Sequence, residues 1–424
     1  MKPSPNYQSF GRNAFMKSPY WQRLSAVARE RFEILSQVFH FKVNSYVLEE
    51  LIDWSAPEDD PIYRLIFPQE SMLAPEDYAW LRNAHRLPLP KAQWPSITER
   101  LRAQAAPAGV SHPACYARLD GELIDGLYHN YTHQLNLFAD PAVRTCHAYC
   151  SYCFRWNLFQ TSEAPPSFRY QDPQTPVPYL MAHPEITDAV FTGADPLVMS
   201  ARKLKTYLQP LLEVESLQNI RIHSKALSYW PYRFTTDADA DGLLEVFAMV
   251  AKAGKQLSLM AHLSHPRELS TPMVREAVGR IRDTGTQIRS HGPLIRGVND
   301  TAETWSELWT QQLGLGMIPT AMFMECGQNP QRAFGVTLAR GLQIFQEAQA
   351  QTTGLARGVQ GPLFVDQPLR VALTGTVEIA QQRYFVLKPQ QVPPGMQPCT
   401  DLKLLPWDEH RMDPGDLMQL FDLP

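Results

Sequence analysis

The sequence predicts an α/β fold: a run of strand–helix units around a mainly parallel sheet, with a helical or irregular N-terminal extension and a short C-terminal β or irregular tail. Two observations carry this. Between residues 131 and 365, short apolar or β-branched runs alternate with amphipathic stretches at about 30 residues per unit, the pattern of βα repeats. Three of the six cysteines also fall together, at Cys146, Cys150 and Cys153, directly after the first of those strands. Folds of this kind place their ligands at that edge of the sheet.

The chain divides into residues 1–130, 131–365 and 366–424. In the first part, Pro19–Phe41 shows apolar spacing near a helical period. Asn44–Trp54 opens on a capping residue and reads as a short helix, residues 56–61 form a polar break, Pro95–Ala105 reads as a further helix, and Pro107–Pro113 as a linker. In the second part the strands are His133–Phe138, Asp188–Thr192, Asn219–His223, Gln256–Ala261, Gln287–Ser290 and Thr320–Met324. Helices near 199–214, 240–253, 271–284, 301–313 and 336–351 lie between them. Ser270 before Thr271-Pro272 marks one helix start, and Asp300 with Glu303 three residues later marks another as a capping box. Six units are too few for the closed eightfold barrel. In the tail, Arg370–Leu373 and Arg383–Leu387 read as short strands, and residues 392–395 break them from an acidic end, a candidate lid or homo-oligomer contact.

Composition narrows the function. The formal charge is −4 with no basic run, which argues against nucleic-acid binding. No stretch of about 18 apolar residues suggests a membrane span, and the N-terminus shows no signal-peptide pattern. Cys115, Cys326 and Cys399 are scattered rather than framework-like, so a reducing, cytoplasmic setting is expected. The 36 prolines, well above the roughly 5% usual in proteins, crowd the first third and the last fifty residues and predict irregular connections there.

The chemistry-bearing run is Thr-Cys-His-Ala-Tyr-Cys-Ser-Tyr-Cys-Phe-Arg, residues 145–155. Thiolates are the usual ligands of iron–sulfur clusters, and three of them leave one metal position open. A three-thiolate zinc site with His147 as the fourth ligand is the alternative, and three buried core thiols a further one. The x3, x2 spacing with aromatic Tyr152 before the third cysteine resembles the radical-SAM superfamily, in which an open iron binds and reduces S-adenosylmethionine. Thr192-Gly193-Ala194-Asp195-Pro196-Leu197, after the second strand, resembles the Gly-Gly-Asp-Pro-Leu segment that holds the methionyl amino group in one branch of those enzymes, with Ala194 in place of the second glycine. His262 ends the fourth strand and is a further cofactor-binding candidate, followed by His265-Pro266.

These stretches, with Asp60-Pro61, Asp125–Tyr131, Ile220-Arg221-Ile222, Gly297–Asp300 and Phe364-Val365-Asp366, resemble the lysine 2,3-aminomutase family in consistent order from about residue 45 to 370. The resemblance implies a partial (β/α)6 radical-SAM barrel, a [4Fe–4S] cluster on Cys146, Cys150 and Cys153, S-adenosyl-L-methionine held by Gly193, Ala194 and Asp195 with Tyr152 near the adenine, and pyridoxal phosphate. It also implies an amino-acid-like substrate positioned by Arg155 and Asp366, and an electron donor such as a flavodoxin or ferredoxin.

The departures bear on the reaction. The family's pyridoxal lysine follows a Val-Asp-Ala-Pro segment; here the run Val365–Gly375 contains no lysine, and an arginine cannot form a Schiff base. The second carboxylate that holds lysine's distal ammonium falls at Gly327, near Glu325, and a pyridoxal-contacting glutamine falls at His291. The expectation is a radical SAM enzyme acting on a C–H bond of an amino acid or related carboxylate-bearing metabolite, an isomerase or other radical catalyst, without pyridoxal phosphate. Two alternatives are a 2,3-aminomutase that holds pyridoxal phosphate differently, through Lys225 for instance, and a non-catalytic iron–sulfur or zinc protein.

Overall fold

The computed structural model describes residues 7–87, 91–105, 115–140, 143, 145–153, 155, 169–325, 332–366, 369–392, 394–395 and 401–421, and of Lys91 and Asp366 the backbone alone. The strands are β1 (Ser9–Gly11), β2 (Lys42–Asn44), β3 (Tyr116–Leu119), β4 (Glu122–Tyr131), β5 (Gln134–Leu137), β6 (Asp188–Phe191), β7 (Asn219–Ser224), β8 (Gln256–His262), β9 (Gln287–Pro293), β10 (Ile318–Phe323), β11 (Gln360–Asp366), β12 (Leu369–Ile379), β13 (Gln382–Gln391) and β14 (Lys403–Pro406). Among the described residues, β3 to β14 form one sheet in strict sequence order. The run from β5 to β11 is parallel, and each step between neighbours crosses over through a helix. The result is the partial (β/α)6 barrel, flanked on one side by the antiparallel β3–β4 pair and on the other by β12, β13 and β14.

Alternation along the strands sets the two faces. In β7 the sequence Asn-Ile-Arg-Ile-His-Ser buries Ile220 and Ile222 fully and leaves Asn219, Arg221 and His223 half-buried. Successive side chains of a strand point to opposite faces, so the isoleucines meet the helices while the polar residues face inward. Leu257, Leu259 and Ile288 of the next two strands share the apolar outer face and pack with Leu243, Phe247, Val278 and Ile281 of the helices. Helices at 201–212, 240–252, 272–283, 302–314 and 338–351 stand within two residues of the sequence-derived ones.

The differences are instructive. Residues 116–131, expected to be irregular, form β3 and β4, and Gly126 at φ 72° lets β4 pass Tyr170 at a distance that a Cβ could not occupy. The sheet also runs past residue 365: the short tail strands are a long hairpin, β12 paired with β13 over Arg370–Gln391 to Ile379–Gln382, and β11 is a seventh parallel strand. Helix starts shift by one residue. Thr271, immediately before Pro272, accepts the Val274 amide, and Thr301 rather than Asp300 accepts the Thr304 amide. In each case the residue with extended backbone is the one whose hydroxyl reaches the third amide. In the N-terminal part, helices 26–38, 61–66, 75–86 and 94–105 enclose a second core around Phe15, Phe32, Phe41 and Phe67. The linker expected at Pro107–Pro113 lies outside the described residues.

Two contacts fix the strand ends. Asn299 accepts the Ile295 amide at 2.6 Å and donates to Ser264 O at 2.8 Å and Pro293 O at 2.9 Å, tying the segments after β8 and β9 together. Asp60, which caps helix 61–66 through the Tyr63 amide, pairs with Arg267 after β8 and so fastens the N-terminal part to the barrel. Asn299→Ala leaves a buried amide and two carbonyls unsatisfied, each costing about 1–3 kcal/mol. Its expected effect is a urea midpoint lowered by the equivalent of about 2–4 kcal/mol; an unchanged midpoint would show that water replaces all three bonds.

Candidate active site

The inner face of the barrel encloses a cavity of about 1020 Å³. Cys146, Cys150, Cys153, Tyr152, Arg155 and His147 line its mouth, and Thr192, Gly193, Ala194 and Asp195 close the mouth from the end of β6. The sequence-derived candidates thus meet at one place, the C-terminal ends of the parallel strands. Asp366 ends β11, and its side chain lies outside the described residues, as do Cys326 and Gly327.

The cysteine loop has no secondary structure of its own, so its backbone groups are satisfied from elsewhere. The N-terminal part supplies them. Lys42 donates to Cys146 O at 2.7 Å and to Thr145 Oγ1 at 2.8 Å. Tyr7 and Asn44 both donate to His147 O. The Tyr149 amide donates to Lys42 O, and the Ser151 amide and hydroxyl donate to Leu65 O and Arg64 O. The extension read from the sequence as helical and irregular is therefore the scaffold of the loop.

Cys146, Cys150 and Cys153 are free thiols. Burial raises the pKa of each, that of Cys153 to about 11. The Cys150 sulfur and the Tyr229 hydroxyl stand 3.8 Å apart. Among the described residues, no three of His, Cys, Asp and Glu are grouped tightly enough to share a single metal ion. A polynuclear cluster instead lets each thiolate bind a different iron, so the donor set fits a cluster better than one zinc. His147, the ligand that a zinc site would need, sits with Nδ1 3.6 Å from Asp195 Oδ2.

Around the second motif, Gly193 has φ 132°, and a Cβ there would lie 2.6 Å from Val143 Cγ1. Glycine is required both by conformation and by the close approach of the segment leading into the cysteine loop. The Asp195 carboxylate accepts the Leu197 amide at 2.9 Å, the Ser224 hydroxyl at 2.8 Å and the Lys225 amide at 3.1 Å. Its work is to fix the loop, which leaves the backbone of Thr192–Ala194 facing the cavity. Tyr152 stacks on His262 at 6.1 Å, with its hydroxyl 3.3 Å from His262 Nδ1. His265 does not reach the cavity; its ring caps the turn at 266–269.

The same cavity holds a layer of histidines and arginines, from which the sequence reading singled out His262 as a cofactor-binding candidate and noted Arg221 and His291 without grouping them. His262 of β8 and His291 of β9 are cross-strand neighbours, and His223 stands on β7 at the level of Met260 and Arg289; ring centres are 5.2 Å apart for His223–His291 and 5.3 Å for His262–His291. Arg221, Arg289 and Arg370 line the same space. The period-2 placement of Asn219, Arg221 and His223 among isoleucines was the available signal. Lys225, the proposed alternative lysine, donates to His262 O at 3.1 Å and pairs with the buried Glu268. Lys388 is exposed on β13.

The three cysteines of the CxxxCxxC loop thus stand at the C-terminal edge of the parallel strands, beside the Gly193 strand end. No protein-family model matches the chain. It is 28% identical over 333 residues to a putative L-lysine 2,3-aminomutase of Aquifex aeolicus, covering 78% of this chain and 77% of the relative. It is 28% identical over 244 residues to the L-lysine 2,3-aminomutase of Escherichia coli (56% and 67% covered) and 23% identical over 311 residues to that of Fusobacterium nucleatum (73% and 68%). Among solved structures, a radical SAM methyltransferase from Sphaerobacter thermophilus aligns over 63% of this chain and 81% of its own, with TM-score 0.33 and 15% identity. The chain is thus similar in sequence, over half to three quarters of its length, to proteins named L-lysine 2,3-aminomutase.

The histidine layer makes stability pH-dependent. Burial, then His291 and the surrounding Arg221, Arg155 and Arg370, holds His223 well below its usual value; burial, then Arg370 and Arg221, lowers His291 to about 3. His262 also faces His291. The unfolded chain therefore binds protons, below about pH 6.5, that the folded chain refuses, and stability falls as pH drops from there. The slope is up to about 1.4 kcal/mol per pH unit for each histidine. A urea midpoint that falls between pH 7.5 and 5.5, less steeply in His291→Gln, is the expected result; an equal slope in the variant would contradict it.

Proposed function

We propose that the chain is a radical SAM enzyme that reductively cleaves S-adenosylmethionine at a [4Fe–4S] cluster and abstracts hydrogen from an amino acid or related small carboxylate-bearing metabolite. The observation that carries this is the meeting of three half-buried, free cysteines on one loop with the Gly193 strand end, over a cavity of about 1020 Å³, large enough for a cofactor and a small substrate. Cys146, Cys150 and Cys153 would hold the cluster, leaving one iron for S-adenosylmethionine. Such a cluster supplies the electron that breaks a carbon–sulfur bond and so the radical that takes hydrogen from carbon.

The remaining roles belong to the chain's own residues. The backbone of Thr192, Gly193 and Ala194 offers amide and carbonyl groups to the methionyl end, and Asp195 holds that backbone in place. Tyr152, stacked on His262, forms a flat wall beside the mouth. Arg155, packed 5.7 Å over the Phe138 ring, presents a guanidinium suited to a substrate carboxylate. Helices cover the outer face of the barrel, and the N-terminal part packs against the cysteine loop; shielding of this kind limits side reactions of a radical. The Aquifex aeolicus, Escherichia coli and Fusobacterium nucleatum relatives lend this reading their chemistry by similarity.

Two observations favour chemistry without covalently held pyridoxal phosphate. Lys225 is the lysine that lines the cavity among the described residues, and its amine is engaged by Glu268 and by His262 O. A Schiff base needs a free, deprotonated amine, so the residues do not fit an internal aldimine there. Without that electron sink, amino migration loses its usual route, whereas hydrogen abstraction does not depend on it. Isomerisation, epimerisation and desaturation remain within this chemistry.

The test uses protein purified without oxygen and reconstituted with iron and sulfide. Dithionite-reduced protein is expected to convert S-adenosylmethionine to 5′-deoxyadenosine and methionine, with Cys150→Ser reduced to background and depleted of iron. In parallel, incubation with pyridoxal phosphate and borohydride is expected to leave no covalent adduct. A trapped pyridoxyl-lysine would restore the aminomutase, and intact S-adenosylmethionine with a fully loaded cluster would overturn the radical reading.

A further inference from the structure

The cavity is far more cationic than a net charge of −4 for the whole chain suggests. Among the described residues its walls carry Arg155, Arg221, Lys225, Arg289 and Arg370 against Asp188, Asp195 and Glu325. Several of these cancel locally. Lys225 is paired with Glu268, Arg221 lies 3.1 Å from Asp188, and the Asp195 carboxylate is occupied by two backbone amides and the Ser224 hydroxyl. Arg155 sits beside Cys153 and Cys146 at the mouth, where thiolates would face it.

Arg370 is different. It enters from β12 opposite Val365, one residue from the end of the parallel sheet, with its guanidinium 5.6 Å over the Phe323 ring. Its Nε is buried without a hydrogen-bond partner, and so are Nε of Arg221, Oε1 of Gln391 and Nε2 of His223. Gln391 is the cross-strand neighbour of Arg370 on β13, and all four residues line the one cavity. Buried polar atoms in folded proteins are nearly all paired. Four orphans converging on one space, three of them nitrogens and two of those on guanidinium groups, describe a site shaped for an acceptor-rich ligand. Arginine over an aromatic ring is also preorganised for bidentate binding of a carboxylate or phosphate.

We infer that the ligand of this cavity has a second anionic group at its distal end, a carboxylate or a phosphate, held by Arg370 with Gln391 and His223 beside it. The substrate class is thus an acidic α-amino acid or a related dianion, rather than one with a distal ammonium. This rests on the radical reading only in naming the bound dianion a substrate; the binding itself does not.

Titration calorimetry on the full-length, reconstituted protein tests it with four α-amino acids: L-glutamate, O-phospho-L-serine, L-norvaline and L-lysine. Glutamate or phosphoserine is expected to bind at least about 10-fold more tightly than norvaline and lysine, as one charge-assisted pairing implies. Whichever of the two binds tighter identifies the distal group as carboxylate or phosphate. Arg370→Met is expected to bring the acidic probe to the affinity of norvaline, with norvaline itself unchanged. Gln391→Met, which keeps the charge cluster intact, is expected to weaken the acidic probe by a smaller factor and serves if the arginine variant does not fold. Lysine binding as tightly as glutamate, or acidic affinity that survives both substitutions, would overturn the inference. Cleavage of S-adenosylmethionine in the same preparations separates the two claims: a protein that binds the dianion but cleaves nothing keeps this inference and loses the radical reading.

Discussion

Everything at the site depends on how a loop without secondary structure is held still. Residues 145–153 carry three thiols that must face one space, yet no helix or strand fixes their backbone. The hydrogen bonds from Lys42, Asn44 and Tyr7, and those accepted by Leu65 and Arg64, do that instead. The N-terminal part can hold the loop because it is itself anchored: its aromatic core is buried, and Asp60 is locked to Arg267 beyond β8. Asp60 is buried while Arg267 is partly exposed, so the pair ties the N-terminal part to the barrel mainly by satisfying that buried carboxylate.

The second constraint is the inversion of the barrel's interior. A packed barrel fills its centre with branched apolar side chains. Here the apolar members of β7, β8 and β9 face the helices, and polar members face inward. Burying arginines and histidines in this way costs stability unless something compensates. Burial first, and then the neighbouring arginines, push the pKa values of His223 and His291 down. Such perturbation clusters where chemistry or binding occurs, and here it lies directly beneath the cysteine loop.

Much of this was legible in the sequence. Six strands and five helices were readable because a parallel sheet covered by helices imposes strong periodicity. That the cysteine loop, Tyr152, Gly193, Asp195 and Arg155 would meet at one edge of the sheet was also readable, because motifs that follow strands in such folds gather at the strands' C-terminal ends. The role of the first 87 residues was not, since Lys42, Asn44 and Tyr7 act through single long-range hydrogen bonds to carbonyls about 100 or more residues away, which leave no local pattern. β3, β4 and β11 were missed for a related reason: their pairing is set by neighbours in the sheet more than by propensity. Asp195 was read as holding the cofactor's methionyl end; its carboxylate also caps the turn at 196–198, a second role that an aspartate after a strand can serve and that only geometry reveals.

The most direct test is the electron paramagnetic resonance spectrum of the dithionite-reduced, reconstituted protein, recorded with and without S-adenosylmethionine. The account requires a [4Fe–4S]⁺ signal whose shape changes when S-adenosylmethionine is added, because an iron without a protein thiolate is open to it. A [4Fe–4S]⁺ signal indifferent to S-adenosylmethionine, or a protein that takes up zinc but no cluster, would contradict it.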